Sequence, residues 1–150
     1  MANESKPGYK GKVTIGANTV LGMGTWSHSG FNIDLLDNSE FGTDYDDFEY
    51  GMTHCGKVSF NGNYKKDDTQ GQDILRSYML NKVEMTDIRF YVDSVSYYTP
   101  NSTTAAGGGL LAGTPVGNAI IESVETSFDK GDLGKISFSV QIANGPLRLI

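Results

Sequence analysis

The chain is short of several things, and each shortage excludes a class of protein. It has one cysteine, Cys55, in 150 residues, so an internal disulfide cannot form and the chain reads as made in a reducing cytosol. No apolar run approaches the roughly 20 residues of a transmembrane helix. The opening stretch, Met1 to Lys12, is polar and lacks the apolar segment of a secretory leader. Basic residues are also few, 12 Lys and Arg against 18 Asp and Glu, for a net charge of −6. None of them lies between Val13 and Gly56. The broad basic footprint that grips nucleic acid, or the polybasic patch that seeks a membrane, is absent.

The acidic excess has an address. Asp34, Asp37, Glu40, Asp44, Asp46, Asp47 and Glu49 put seven negative charges into one segment, and the remaining 11 acids and 12 bases sum to +1. Glycine is abundant, 19 residues, near twice the usual share, which suits strands joined by tight turns.

Period-two alternation dominates what remains. Ile136, Phe138, Val140 and Ile142 alternate with Ser137, Ser139 and Gln141, the mark of a strand buried on one face. Ile88, Phe90 and Val92 repeat the pattern, as do Val58 and Phe60. Lys12 to Ile15 and Thr19 to Ser27 flank Gly16-Ala17-Asn18 as a hairpin, and Ala119 to Phe128 reads as a longer strand. Asn144-Gly145-Pro146 interrupts the chain before Leu147 to Ile150. One segment keeps a helical period: Ile74, Leu75, Tyr78, Met79 and Val83 predict a helix over about 69–82, with Asp67 and Gln70 as a capping box. Two stretches fit neither pattern. Residues 31–53 are acidic and aromatic, and 99–117 contain Gly107-Gly108-Gly109 and two prolines. Both read as long loops. The fold class is mainly β: a two-sheet antiparallel β-sandwich or partial barrel with one flanking α-helix, forming a single domain over 1–150.

No catalytic constellation is visible. Asp44-Tyr45-Asp46-Asp47-Phe48-Glu49 lacks the glycine and spacing of a calcium-binding loop, and its crowded acids lack the apolar pocket that raises a carboxyl pKa. His28, His54 and Cys55 give neither a zinc spacing nor a triad signature, and neighbouring strand residues such as His54 and Cys55 point to opposite faces. Gly107-Gly108-Gly109 leads into Leu110, so no lysine completes a phosphate loop. Neither a cofactor nor a metal is expected. The strand faces are instead rich in Ser, Thr, Asn and Gln, as in a subunit whose sheets line a polar channel.

Four blocks, in order, resemble the tail tube (major tail) proteins of long-tailed, siphovirus-type bacteriophages. They are Lys12-Val13-Thr14-Ile15 with Gly22 to Ser27; Gly56 to Tyr64 running into Asp68-Thr69-Gln70-Gly71-Gln72; Ile88-Arg89-Phe90-Tyr91 with Tyr97-Tyr98; and Ala119 to Val124 with Ser127-Phe128-Asp129 and Ile136 to Ser139. The resemblance implies a structural virion protein, made in the host bacterial cytoplasm, whose hexameric rings stack into a tube for genome DNA ejection. It makes residues 31–53 the stacking loop, with Asp34, Asp37, Glu40, Phe41, Asp44, Tyr45, Asp46, Asp47, Phe48, Glu49 and Tyr50 as its contact residues, and 1–11 an N-terminal arm. Lys10, Lys12, Lys57, Lys65 and Lys66 are the candidate complementary cations on the next ring. Alternation nominates Asp93, Glu122 and Glu125 as lumen-facing. The implied partners are further copies of the chain with tape-measure, tail-tip or initiator, and tail-terminator proteins. DNA would pass without specific binding. Three alternatives remain open: the tube of a contractile tail or type VI-like secretion machine, a carbohydrate-binding β-sandwich using Trp26 and the loop tyrosines as platforms, and an enzyme relying on the acidic loop.

Overall fold

Alternation is written directly into the packing. In the computed structural model, which describes residues 12–42, 44–93, 95–100 and 117–149, Ile136, Phe138, Val140 and Ile142 are buried and the serines between them half-buried. Among the described residues the elements run β1 (Lys12–Ile15), β2 (Asn18–Thr19), β3 (Met23–Asp37), β4 (Phe48–Asn63), α1 (Gln72–Leu80), β5 (Ile88–Tyr91), β6 (Tyr97–Thr99), β7 (Asn118–Ser127), β8 (Lys135–Ala143) and β9 (Arg148–Leu149). They form two antiparallel sheets, ordered β2-β1-β5-β6-β9 and β3-β4-β8-β7. The mainly β sandwich with one helix is as expected, and neither sheet closes into a barrel.

The core lies between the sheets. Phe60 and Phe138 are cross-strand partners on β4 and β8, stacked at 5.1 Å, and Phe60 meets Phe90 of the opposite sheet at 5.9 Å. Each of these side chains is almost wholly buried, a contribution of about 1.5–3 kcal/mol apiece. Trp26 seals one side: its ring lies 5.6 Å from Phe90, and its indole N–H donates to the Tyr91 carbonyl at 2.9 Å.

The helix begins three residues later than expected, and the Asp67–Gln70 capping box does not form. Asp68 replaces it. Its buried carboxylate accepts the Gln72 N–H at 3.1 Å and the Leu21 N–H at 2.9 Å. The Gln72 amide then donates to the carbonyls of Leu21 and Asn63 and accepts the Lys65 N–H. One Asp–Gln pair thus ties the helix start to the entry of β3 and the end of β4. Buried polar groups of this kind are favourable only when fully satisfied, as these are.

Two strand boundaries also differ. The Gly16-Ala17 turn forms, with Gly16 at φ +59°, but the chain leaves that sheet after Thr19 and starts β3 in the other one. The interruption at Asn144-Gly145-Pro146 does the reverse, using Asn144 at φ +65° to carry the chain from β8 back to β9 in the five-stranded sheet.

The largest difference concerns residues 31–53. They are not a loop throughout, because β3 continues to Asp37 and β4 begins at Phe48. Only residues 38–47 connect them. Pairing of β4 with β8 ends at Lys57↔Gln141, whereas β3 and β4 stay paired out to Asp37↔Phe48. The outer ribbon therefore projects from the sandwich as a two-stranded hairpin, about 30 Å long at strand rise. The 1–11 arm, Lys10 and most of the 99–117 loop lie outside the described residues. At the base of that loop the Gly117 N–H donates to the Pro100 carbonyl at 2.9 Å.

Candidate assembly interface

Two surfaces stand out, the outer face of the four-stranded sheet and the hairpin that grows from it. Register fixes the first. One row across all four strands is Ser27, Ser59, Ser139 and Ser123. The next is Thr25, Asn61, Ser137 and Glu125, and on the other side lies Ser29, Lys57, Gln141 and Ile120. The core rows interleave with them, for example Trp26, Phe60, Phe138 and Val124. Hydroxyls and amides thus pave the outer face. Its charges, hairpin aside, are Lys57, Lys135, Glu122 and Glu125, which cancel.

A β-bulge decides which acids share this face. The register slips between Ile121 and Ser123, so both Glu122 and Ser123 turn outward, Val124 turns into the core and Glu125 turns out again. Strict alternation cannot put residues three apart on one face, and the bulge does so. Asp93 is not with them. It sits in the β5–β6 turn of the other sheet, where its Oδ1 accepts the N–H groups of Val95 and Ser96 at 2.8 and 2.7 Å.

The hairpin has two unlike faces, and a pair of glycines sets them. Gly30 and Gly56 stand between the Ser29↔Lys57 and Phe31↔Cys55 pairs, with φ of +77° and +87°. Such a backbone is costly for any residue with a Cβ, and at Gly56 one would press on the Ser29 carbonyl and the His28 ring. Alternation restarts beyond them. Phe31, Ile33, Leu35, Tyr50 and Phe48 share one face, continuous with the core side, since Phe31 meets the His28 ring at 5.8 Å. Asn32, Asp34 and His54 share the other, lining a shallow depression with Ser29, Lys57 and Gln141 of the serine face. His54 Nε2 lies 3.1 Å from both Asp34 oxygens. His28 Nε2–H donates to the Cys55 carbonyl at 2.9 Å, which secures the junction.

The tip is acidic and held by its own polar groups. The Asn38 N–H donates to the Asp47 carbonyl at 2.7 Å, and the Asn38 amide to Glu49 at 3.2 Å. The Asp47 N–H reaches the Ser39 hydroxyl at 2.8 Å. Asp37 accepts the Ser39 N–H at 2.9 Å, and that bond, helped by the Ser39 hydroxyl, holds its carboxyl below the ordinary aspartate range. Phe41 and Tyr45 are exposed at the tip, and the hairpin's five apolar-face side chains are all at least 39% exposed. An apolar ribbon of this length, rimmed by acids, has the anatomy of a binding surface.

The expected site residues are therefore partly gathered. Asp34 to Tyr50 do form one projecting element. The cations are scattered: Lys12 lies over the Tyr91 ring at 4.6 Å on the five-stranded sheet, Lys57 is paired with Glu122, and Lys65 and Lys66 sit in the β4–α1 connection at the far end. Phe31, Ile33, Leu35 and His54 do not stand out as contacts from sequence. Their signal is the short Phe31-Asn32-Ile33 alternation, obscured by the glycine pair. At the opposite end of the subunit Leu21, Phe128 and Leu133 are also exposed, beside Lys65, Lys66 and Lys130. Trp26 is not a sugar platform, because both its ring and its N–H are spent inside the sandwich.

The two-sheet sandwich with one helix superposes over nearly the whole chain on solved structures of tail and tube assemblies. The tail of an empty gene transfer agent particle, refined with C6 symmetry, superposes with a TM-score of 0.69 at 12% identity, covering 97% of this chain and 99% of that one. A chain of the PVC sheath-tube complex of an extracellular contractile injection system gives 0.62 at 17%, covering 97% and 91%. The SPP1 tail tube gives 0.60 at 15%, covering 96% and 79%. No protein-family model and no curated sequence matches the chain.

Proposed function

We propose that this chain is a tail-tube subunit, a structural virion protein whose hexameric rings stack into a conduit for DNA, with residues 1–150 acting as one domain. The observation that carries the reading is the four-stranded sheet. Its edge strands are β3, which has no strand partner on its far side among the described residues, and β7, which is bridged at Ala119 by Met85 and has no strand partner beyond that point, and its outer face is paved with serine and amide. Open edges invite pairing with another chain. Six such sheets joined edge to edge make a barrel roughly 115 Å around and about 37 Å across before strand tilt, which admits a nucleic acid duplex. The serine row then becomes a ring of hydroxyls with no fixed attraction for phosphate.

The hairpin supplies the axial contact. Its apolar face and acidic tip meet the far end of a subunit in the adjacent ring, where Leu21, Phe128 and Leu133 lie among Lys65, Lys66 and Lys130. Head-to-tail contacts of this kind propagate a filament rather than closing a ring. The chain's site is the virion tail, its assembly partners are tape-measure, tip and terminator proteins, and no catalytic role is assigned. The contractile alternative rests on the same fold, given the likeness to a chain of the PVC sheath-tube complex, and it would add a sheath outside the five-stranded sheet.

Negative-stain microscopy of the concentrated protein tests this. Rings or tubes roughly 100 Å wide are expected. A persistent monomer that binds glycans would overturn the reading.

A further inference from the structure

Lys57 is the one cation in the middle of the serine face among the described residues, and the fold spends a bulge beside it. Lys57 Nζ lies 2.9 Å from each oxygen of Glu122, across the intervening strand β8. The Ser139 hydroxyl approaches the same carboxylate at 3.5 Å. Glu122 is the extra residue of the β7 bulge, between Ile121 and Ser123. Both partners are about half exposed, and an ion pair so exposed adds little stability. Bulges disrupt a ladder locally and re-aim side chains, so stability does not account for the arrangement. The second lysine of the face, Lys135, is engaged as well, donating to Asn63 Oδ1 at 3.0 Å.

We infer that Glu122 is a specificity-determining residue that occupies Lys57 and so keeps the serine face from holding a polyphosphate such as DNA. This rests on the tube reading, in which the face lines the lumen. The physical requirement is kinetic. A lysine that contacts a phosphate releases a counterion, and repeated on every subunit of every ring such contacts would retard DNA at each step. A carboxylate bound through both oxygens offers Lys57 a closer competitor than a passing phosphate. Removing the lysine would serve the same end. Retaining it as a pair leaves the face neutral rather than repulsive, so DNA is neither gripped nor excluded.

The test measures binding of a short duplex DNA fragment to the full chain between 50 and 200 mM salt, for the native protein, E122Q, K57M, K57M/E122Q and E125Q. E122Q is expected to bind more tightly than native at 50 mM and to lose about 3.5-fold more affinity by 200 mM for each phosphate that a freed Lys57 binds. K57M/E122Q should return to the K57M level, and E125Q should tighten binding less than E122Q. The inference is overturned if E122Q matches native, if the double variant keeps the tighter binding, which would make the gain independent of Lys57, or if E125Q binds as tightly as E122Q, which would make it an effect of net charge alone. Micrographs of the same samples report tube formation separately. Absence of tubes with the tighter E122Q binding intact would count against the tube and not against the Lys57–Glu122 pair.

Discussion

Strands β3 and β4 are one continuous ribbon with two different lives. From Trp26↔Phe60 to His28↔Val58 the ribbon belongs to the sandwich, and Phe60 and Val58 are fully buried. From Phe31↔Cys55 to Asp37↔Phe48 it has the same kind of side chains and the same ladder, yet Phe31, Leu35 and Phe48 are more than half exposed. Local propensity is similar in the two halves. What differs is whether a second layer covers the apolar face: β5 brings Phe90 to the inner half, and nothing within the described residues covers the outer half. A lone two-stranded hairpin is marginal in water. The inner half therefore carries the stability of the subunit, and the outer half leaves its apolar surface exposed, as the proposed axial contact requires.

Truncating one aromatic in each half separates their roles most strongly. Phe60→Ala removes a ring held between Phe138 and Phe90 and should cost about 3–5 kcal/mol. Phe48→Ala, on the exposed half, should change subunit stability by no more than about 0.5 kcal/mol. Chemical denaturation of both variants reads the difference. Equal losses would mean that the hairpin's apolar face is covered in the soluble subunit. The Phe48 loss should reappear in assembly: replacing Phe41, Phe48 and their flanking acids should leave a folded subunit that forms rings but no tubes.

Next in size is the polar knot at the helix start. Gln72→Leu leaves the Leu21 and Asn63 carbonyls and the Lys65 N–H without their partner, and should cost about 3 kcal/mol, at roughly 1 for each of three part-buried groups. The hairpin's own hydrogen bonds are open to water and should show no comparable penalty. Hydrogen exchange would display the contrast without mutation. Amides of β4 beyond Lys57 should be protected in the free subunit, and those of Phe48 to Cys55 only after assembly.

The inner half of the ribbon was legible because alternation there is unbroken: Val58 and Phe60, like Ile136 to Ile142, announce a buried face. The helix was legible from Leu75 and Tyr78, although its start was not, since the Asp68 carboxylate that accepts the Gln72 N–H is also held by the distant Leu21 N–H, which no local pattern encodes. The outer half was opaque for a physical reason. Positive φ at Gly30 and Gly56 resets the alternation, and a second slip between Ile33 and Leu35 breaks it again. Apolar residues then fall irregularly in sequence while sharing one face in space. Glu122 and Glu125 were nominated for one face by alternation, which forbids that spacing, and they share it only through the bulge.

The glycine pair is where the two halves can be uncoupled. Gly56→Ala places a Cβ against the Ser29 carbonyl and the His28 ring with φ at +87°, and should cost about 1–3 kcal/mol. The loss should fall on the junction: the His28–Cys55 bond breaks, the hairpin changes its angle, and tubes fail although the core still melts cooperatively. Gly42→Ala also has φ of +87° but open space around it, so it should cost less and leave assembly largely intact.

The smallest effect lies at the tip and is read by pH. Asp37 has its carboxyl pKa lowered by the Ser39 N–H and hydroxyl, so the folded form binds its proton less readily than the unfolded chain. Its contribution is full above the unfolded value and is lost as pH falls through the folded one. The group is fully exposed, so global stability should barely respond. The Ser39 and Asp47 amides are the proper reporters, since Asp37 holds the first and Ser39 Oγ the second. On acidification below the ordinary aspartate range their NMR shifts should move together while core resonances such as Phe60 stay fixed. Asp37→Asn should abolish the Ser39 transition. If the core moved with the tip, the two halves of the ribbon would be one cooperative unit, and the division between a folding half and an assembling half would fail.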